Sequence, residues 1–219
     1  MNERQNPSIN DLSGASMTLG WTSLFDGNSM NQWRQYKADN IEGWEVKDET
    51  MIALGSGISA DIITKETFTN FELSLEWKTS SRGNSGIFFN VVESDHLNHV
   101  YESGPEYQIL DDVSFEAEVE PWQLTGANYA MQAPKYNKVM PVGEWNSSRI
   151  IVDEGKVQHW LNDRLVVSYT LWTEEWTKLK NAGKWEDFPD YGKHRTGHIA
   201  LQDHGGQISF RKIQIRRLK

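Results

Sequence analysis

The 219-residue sequence contains no cysteine, and this absence excludes several kinds of chemistry at once. Without thiols the chain forms no disulfide, no thiolate metal site and no cysteine nucleophile. Basic residues are also scarce relative to acidic ones: 22 Lys and Arg stand against 31 Asp and Glu, a net charge of −9. That balance disfavours nucleic acid as a partner, because phosphate binding draws on clustered Lys and Arg.

Long apolar runs are missing as well. The apolar stretches are only a few residues long, far short of the roughly 20 residues that cross a bilayer as a helix. We therefore expect no membrane span. Residues 1–19 are polar without the apolar core of a signal peptide, and we expect a flexible N-terminal arm there. Residues 20–219 contain no internal repeat and no low-complexity linker, which predicts a single domain.

Tryptophan, in contrast, is abundant. The chain has ten Trp residues, and aromatic residues make up 11% of it beside 24% charged residues. Ring faces stack on the C–H faces of pyranoses while polar groups bond the hydroxyls. This mixture therefore suits a carbohydrate-binding groove.

Period-two alternation of apolar and polar residues dominates the pattern. It runs through residues 71–78, and residues 150–161 predict a hairpin around a turn at 153–156. Turn signals recur about every ten residues, which indicates an all-β antiparallel sandwich. One short helix is predicted after Thr173 as N-cap, and residues 112–144 and 183–197 are predicted to form long rim loops.

Polar side chains that could carry chemistry gather in three stretches. In the first, Glu76 falls on the polar face of its strand, and Asn84 follows in a Gly-Asn-Ser-Gly turn. In the second, Glu106 and Gln108 share one face of a predicted strand. Carboxylate and amide groups on one sheet face are typical of a site that binds and deprotonates a polar ligand.

The third stretch, residues 198–205, places Gln202 and His204 on the polar face if the apolar residues between them point inward. Each stretch also has a purely structural interpretation. Glu76 could simply be solvated, His204 could close a hairpin before its Gly-Gly, and Asp111 could form a turn or cap. The coincidence of three such strands in a Trp-rich chain favours a functional face.

The spacing of two carboxylates argues against an ordinary glycosidase. Glu72 and Glu76 lie four residues apart on one strand, about 13 Å at roughly 3.3 Å per residue. Glycosidase carboxylates are about 5–5.5 Å apart for retention and about 6.5–9.5 Å for inversion. An acid–base pair must therefore be assembled across strands.

The ordered motifs of the chain resemble the 3-keto-disaccharide hydrolase domain family, formerly a domain of unknown function. The resemblance covers about 90% of the chain and implies a jelly-roll-like, concanavalin A-like β-sandwich whose concave sheet handles sugars oxidised at C3. It also implies cleavage of 3-keto-glycosides, by hydrolysis or elimination, and export to the periplasm or exterior of a bacterium. The motifs that carry it are Gly20–Gly27, Asn70–Trp77, Gly83–Ile87, Glu106–Asp111, Thr125–Tyr129, Gly143–Asn146, Leu201–Gly205 and Phe210–Ile213.

A ketone at C3 acidifies the C2 proton, so cleavage needs a base, a stabiliser for the enolate oxygen and an acid for the leaving group. Arg211 is the candidate charge stabiliser. A divalent metal ion held by Glu, Asp and His side chains stays an open alternative, because the sequence has no contiguous ligand motif. The proton-transfer candidates are Glu76, Glu106 and His204, and the candidates for substrate binding are Asn84, Gln108, Asp111, Trp145, Gln202 and Arg211.

A rival hypothesis is a non-catalytic, lectin-like carbohydrate-binding module. The same sandwich and aromatic residues would serve binding alone. A lectin has no need of several acids beside a histidine, so the polar composition of the face favours an enzyme with a small carbohydrate substrate. The sequence does not determine the oligomeric state.

Overall fold

Two antiparallel sheets form the framework of the protein in a computed structural model that describes residues 20–55, 61–115, 119–136 and 138–219. The all-β antiparallel sandwich predicted from the sequence is confirmed. The predicted arm, residues 1–19, lies outside the described residues. The elements are β1 Trp21–Ser23, β2 Trp33–Gln35, β3 Trp44–Lys47, β4 Thr50–Ala53, β5 Ile62–Thr64, β6 Phe71–Thr79, β7 Asn84–Val91, β8 Glu106–Leu110, α1 Asp112–Phe115, β9 Asn146–Asp153, β10 Lys156–Leu161, β11 Arg164–Thr170, α2 Glu174–Lys180, β12 His198–Leu201 and β13 Ile208–Arg217.

The larger sheet has eight described strands in the order β11-β10-β9-β6-β13-β4-β3, with β1 paired to β13. The smaller sheet has the order β2-β5-β12-β7-β8. The predicted hairpin of β9 and β10 is present. The hairpin considered for His204 is wrong, because β12 belongs to the five-stranded sheet and β13 to the eight-stranded one. The Gly205-Gly206 segment therefore carries the chain from one sheet to the other.

Alternating side chains of both sheets meet in one core. From β6, Leu75 and Trp77 point inward, and from β8, Tyr107 and Ile109 join the same buried cluster. Burying such side chains stabilises the fold by about 1.5–3 kcal/mol each. Since side chains alternate along a strand, the intervening residues of β6 and β8 point away from the core on opposite sides of the sandwich.

The predicted helix is α2, and Thr173 caps it as expected. The Thr173 hydroxyl accepts a hydrogen bond from the Trp176 backbone N–H at 3.1 Å. The two long connections, 119–145 and 181–197, hold little regular structure among their described residues. Aromatic side chains anchor the second connection, since Trp185 and Tyr191 are buried and stack with ring centres 4.0 Å apart. No helix among the described residues has the length and apolarity needed to cross a membrane.

Candidate active site

A cavity of about 110 Å³ opens on the outer face of the five-stranded sheet, opposite the core. Strands β7 and β8 and the end of β12 supply its floor, and the long connections supply its rim. Five of the nine residues predicted to form the site meet here. The lining residues are Asn84, Tyr101, Glu106, Gln108, Tyr129, Lys184, Gln202 and His204.

The register of the five-stranded sheet explains why these side chains meet. Gln108 pairs across the ladder with Gly86, and the Gln202 backbone N–H donates to the Gly86 carbonyl at 3.1 Å. Ile199 and Leu201 belong to the core, so Gln202 and His204 fall on the outer face as predicted. Gly86 thus lies between Gln108 and Gln202 in the sheet.

Gly86 leaves room for the carboxyl group of Glu106. A Cβ atom at Gly86 would lie 2.3 Å from Glu106 Oε1 and 3.0 Å from its Cδ. Only a glycine lets the carboxyl group lie over the backbone in this position. The glycine and the acid therefore form one unit, although they are on neighbouring strands.

Glu106 is a buried acid whose carboxylate has no hydrogen-bond partner. Its exposed fraction is 5%, and none of the described residues donates a hydrogen bond to its carboxylate. Burial raises the pKa of Glu106 to about 8, against a smaller lowering by the charge of Lys184 and a further rise caused by Asp61. A carboxyl group with such a pKa is a much stronger base than an ordinary glutamate once it is ionised.

Amide groups surround this acid. Gln108 is 4% exposed, and its buried Oε1 has no hydrogen-bond partner among the described residues. A buried acceptor without a partner costs free energy unless a ligand or water satisfies it. Together with Asn84 and Gln202, this amide offers donors and acceptors of the kind that sugar hydroxyls require.

The rim contains three lining residues that sequence reasoning did not assign to the site. Tyr101 lies in a short 3-10 turn, Val100–Glu102, and Tyr129 and Lys184 lie in the two long connections. Lys184 Nζ lies 4.5 Å from the ring centre of Tyr129 and 5.6 Å from that of Tyr101. Irregular loops have no periodicity from which to infer which side chains face a cavity, so the available signal was only their aromatic content.

Glu76, Arg211 and Trp145 are not part of this cavity, and the expectation that they share a face with Glu106 is wrong. β6 and β13 belong to the eight-stranded sheet, and their outward side chains lie on the far side of the sandwich. Arg211 Nε donates to Glu76 Oε2 at 2.6 Å, and the Arg211 guanidinium stacks 3.9 Å above the ring of Trp145. These residues form a surface ion-pair cluster.

Asp111 also has a structural position. Its carboxylate accepts the backbone N–H of Arg82 at 2.8 Å and that of Ser114 at 3.2 Å. It therefore joins the turn before β7 to the first turn of α1, which is the cap considered from the sequence. Asp111 is not among the residues that line the cavity.

Other cavities of the described residues lack this combination. A cavity of about 470 Å³ contains Glu93, but Arg34 Nη1 donates to that carboxylate at 2.8 Å, so its charge is neutralised. The described residues bring no three His, Asp or Glu side chains together in a way that would hold a metal ion. The cavity over Gly86 is therefore the best candidate for the active site.

Comparison with known proteins shows the family to which the chain belongs. The model of the 3-keto-alpha-glucoside-1,2-lyase-like domain family matches residues 20–216. The chain belongs to this family. A 3-keto-disaccharide hydrolase of Bacteroides thetaiotaomicron is 35% identical over 226 residues, which cover 90% of this chain and 78% of that protein. The resemblance inferred from the sequence motifs is thus confirmed.

Solved structures show the same relationship. One from Parabacteroides distasonis, described as a candidate glycosyl hydrolase, superposes with a TM-score of 0.85 at 39% identity, covering 91% of this chain and 94% of that one. A carbohydrate-binding module of Bacillus subtilis superposes with a TM-score of 0.55 at 12% identity, covering 84% and 95% respectively. The second likeness concerns the fold alone. The family and its relatives identify the chain as an enzyme that cleaves glycosidic bonds.

Proposed function

We propose that the enzyme cleaves 3-keto-glycosides by elimination, with Glu106 as the base that removes the C2 proton. The observation that carries the proposal is the buried carboxyl group over Gly86, which has no hydrogen-bond partner among the described residues and lies in a cavity lined by amides. The name of the family and that of the Bacteroides relative support the substrate class.

The chemistry follows from the ketone. Glu106 takes the C2 proton, and the electron pair of that bond forms an enolate with the C3 carbonyl. When the enolate collapses, a C1–C2 double bond forms and the C1–O bond breaks, and its electron pair leaves on the aglycone oxygen. That oxygen takes a proton from an acid. Addition of water across the C1–C2 double bond then gives the free 3-keto sugar, so the net result equals hydrolysis.

The environment of Glu106 suits this first step. A C–H proton next to a ketone is weakly acidic, and a base is more effective as its pKa rises toward that of the proton it removes. Burial raises the pKa of Glu106 to about 8, so a substantial fraction is ionised at mildly alkaline pH. A positioned proton-transfer group of this kind contributes about 10² to 10⁴-fold in rate.

We assign the acid role to His204 and substrate orientation to the amides. His204 lies on the cavity rim, two residues beyond Gln202 on the same outer face. A protonated imidazole within hydrogen-bond reach can transfer a proton to a leaving oxygen. Gln108, Gln202 and Asn84 line the floor and bind the sugar hydroxyls in this proposal.

The test is product analysis with a 3-keto-disaccharide in D₂O, followed by NMR. Elimination and hydration place solvent deuterium at C2, whereas direct hydrolysis leaves the C2 proton in place. The free 3-keto sugar incubated without enzyme corrects for spontaneous exchange. Cleavage with rapid C2 deuteration is the expected result. Cleavage without deuteration would overturn elimination, and binding without cleavage would favour a lectin-like role.

A further inference from the structure

We propose that Lys184 is the group that stabilises the negative charge on the enolate oxygen, an inference that rests on the proposed function. Elimination places a negative charge on the ketone oxygen, which a cation can stabilise. Arg211, the candidate from the sequence, lies on the opposite side of the sandwich. Among the described residues that line the cavity, Lys184 is the one lysine or arginine.

Three aromatic rings hold the Lys184 ammonium group. Nζ lies 4.5 Å from the ring centre of Tyr129, 4.6 Å from that of Trp185 and 5.6 Å from that of Tyr101. Each distance is within the range of about 6 Å over which a cation interacts with a ring face. The rings favour the charged form without using any of the three N–H donors in a conventional hydrogen bond.

Those donors are available to a ligand. None of the described carboxylates lies within 4.0 Å of Lys184 Nζ, and none of the described acceptors bonds it. Lys193 lies in the same connection but differs in this respect. Its Nζ donates a hydrogen bond to Asp190 Oδ1 at 3.1 Å. A cation held by ring faces keeps its hydrogen-bonding capacity for an oxygen that becomes negative during the reaction.

The support for this cation is rigid. Trp185 is fully buried, stacks on Tyr191 with an interplanar angle of 9°, and donates its indole N–H to the Tyr129 carbonyl at 3.1 Å. One buried anchor therefore fixes two of the three rings. Preorganised charge of this kind needs no rearrangement when the enolate forms, which is the condition for lowering a barrier.

Lys184 also acts on the base. Both groups line the same small cavity. The positive charge of Lys184 offsets part of the rise that burial causes in the pKa of Glu106. Desolvation lowers the pKa of Lys184, and the Glu106 carboxylate offsets part of that lowering. In the elimination, negative charge moves from the carboxylate to the ketone oxygen. In this proposal the Lys184 ammonium group stabilises the charge on that oxygen.

The test compares three lysine variants in the full-length enzyme. Lys184→Met removes the charge and keeps the side-chain length, Lys184→Arg keeps a charge, and Lys193→Met removes a lysine from the same connection outside the cavity. We expect Lys184→Met to lower kcat by about 10² to 10³-fold, the range for loss of one oxyanion donor. KM should change much less. Lys184→Arg should recover part of kcat, and Lys193→Met should match wild type.

A second readout separates electrostatics from structure. Loss of the Lys184 charge should move the acid limb of the kcat/KM profile to higher pH, because the ionised form of Glu106 is then less stabilised. A Lys184→Met enzyme with wild-type kcat and an unmoved acid limb would overturn the inference, provided that Glu106→Gln is inactive. If Glu106→Gln keeps full turnover, the proposed function itself is wrong.

Discussion

The two outer faces of the sandwich shift the pKa of a glutamate in opposite directions. On the eight-stranded sheet, partial burial acts to raise the pKa of Glu76, but hydrogen bonds from Lys212 and Arg211 outweigh it and lower the pKa. On the five-stranded sheet, burial raises the pKa of Glu106 to about 8, and Lys184 offsets only part of that rise. Lys212 and Arg211 thus stabilise the ionised form of Glu76, whereas the ionised form of Glu106 is costly because its carboxylate is buried.

This difference separates structural from chemical roles. A carboxylate held by two cations is a weak base, since its ionised form is already stabilised. A buried carboxyl group without a hydrogen bond reduces stability, and such groups are typical of functional sites. On the outer face of the five-stranded sheet, the fold tolerates the unfavourable ionisation of Glu106. We infer that this residue is retained there for catalysis.

Among variants that keep both Glu106 and Lys184, the largest effect is expected from Gly86→Ala. The new Cβ would lie 2.3 Å from Glu106 Oε1, so the carboxyl group must move. Misplacing a proton-transfer group should lower turnover by about 10²-fold. Gly183→Ala is the matched control, because its Cβ would approach only the Ala130 carbonyl, at 3.8 Å. Equal turnover of the two variants would contradict the role given to Gly86.

The second prediction concerns pH. Because Glu106 acts as a base only when ionised and its pKa is about 8, kcat/KM for a 3-keto-glycoside with a nitrophenol leaving group, which departs without a proton from His204, should fall as pH drops below that pKa. The group is half ionised at pH 8, so the loss between pH 8 and pH 6 should be about 50-fold. A pH–rate profile between pH 5 and 10 measures it. A profile that is flat between pH 6 and 8 would show that Glu106 is not the base.

The third prediction compares the two faces by the effect of one glutamate on the free energy of unfolding. The folded-state pKa of Glu106 lies above its ordinary value of 4.5, so folding disfavours the ionised form and stability falls as pH rises from about 4.5 to about 8. Glu106→Gln should remove that loss and stabilise the protein by a few kcal/mol at pH 8 or above. Denaturant unfolding at pH 5 and pH 8.5 measures the difference.

Glu72→Gln on the opposite face is the contrasting variant. Glu72 is 3% exposed, and its carboxylate accepts Arg216 Nε at 2.7 Å and Arg149 Nη1 at 3.3 Å. Its loss should destabilise by about 1–2 kcal/mol, because two partly exposed arginines lose a buried partner. If both substitutions change stability with the same sign, the two faces do not differ as described.

Local patterns predicted much of the fold and part of the site. The period-two alternation indicated β6 and the β9–β10 hairpin, and the Thr173 cap indicated α2, because both signals depend on neighbours in sequence. The same alternation placed Glu106 with Gln108, and Gln202 with His204, on outward faces. In the Gly-Asn-Ser-Gly stretch, residues 84–86 form the start of β7 rather than a turn, and Gly86 leaves room for the Glu106 carboxyl group.

What failed depended on long-range pairing. Glu76 looked equivalent to Glu106 because both lie on the polar face of an alternating strand, but alternation does not say to which sheet a strand belongs. Arg211 and Trp145 were misplaced for the same reason. Lys184 lies in an irregular connection, where no sequence periodicity indicates the direction in which a side chain points. Its position depends on the burial of Trp185 against Tyr191, a tertiary contact.

The most direct test of the central claim compares Glu106→Gln with Glu76→Gln in one assay of 3-keto-disaccharide cleavage. Both substitutions remove one carboxylate from a strand of similar pattern, and only one of them lies in the cavity. The account predicts that Glu106→Gln lowers turnover by at least about 10²-fold, while Glu76→Gln retains it. Full turnover by Glu106→Gln, or an equal loss in both variants, would contradict the account.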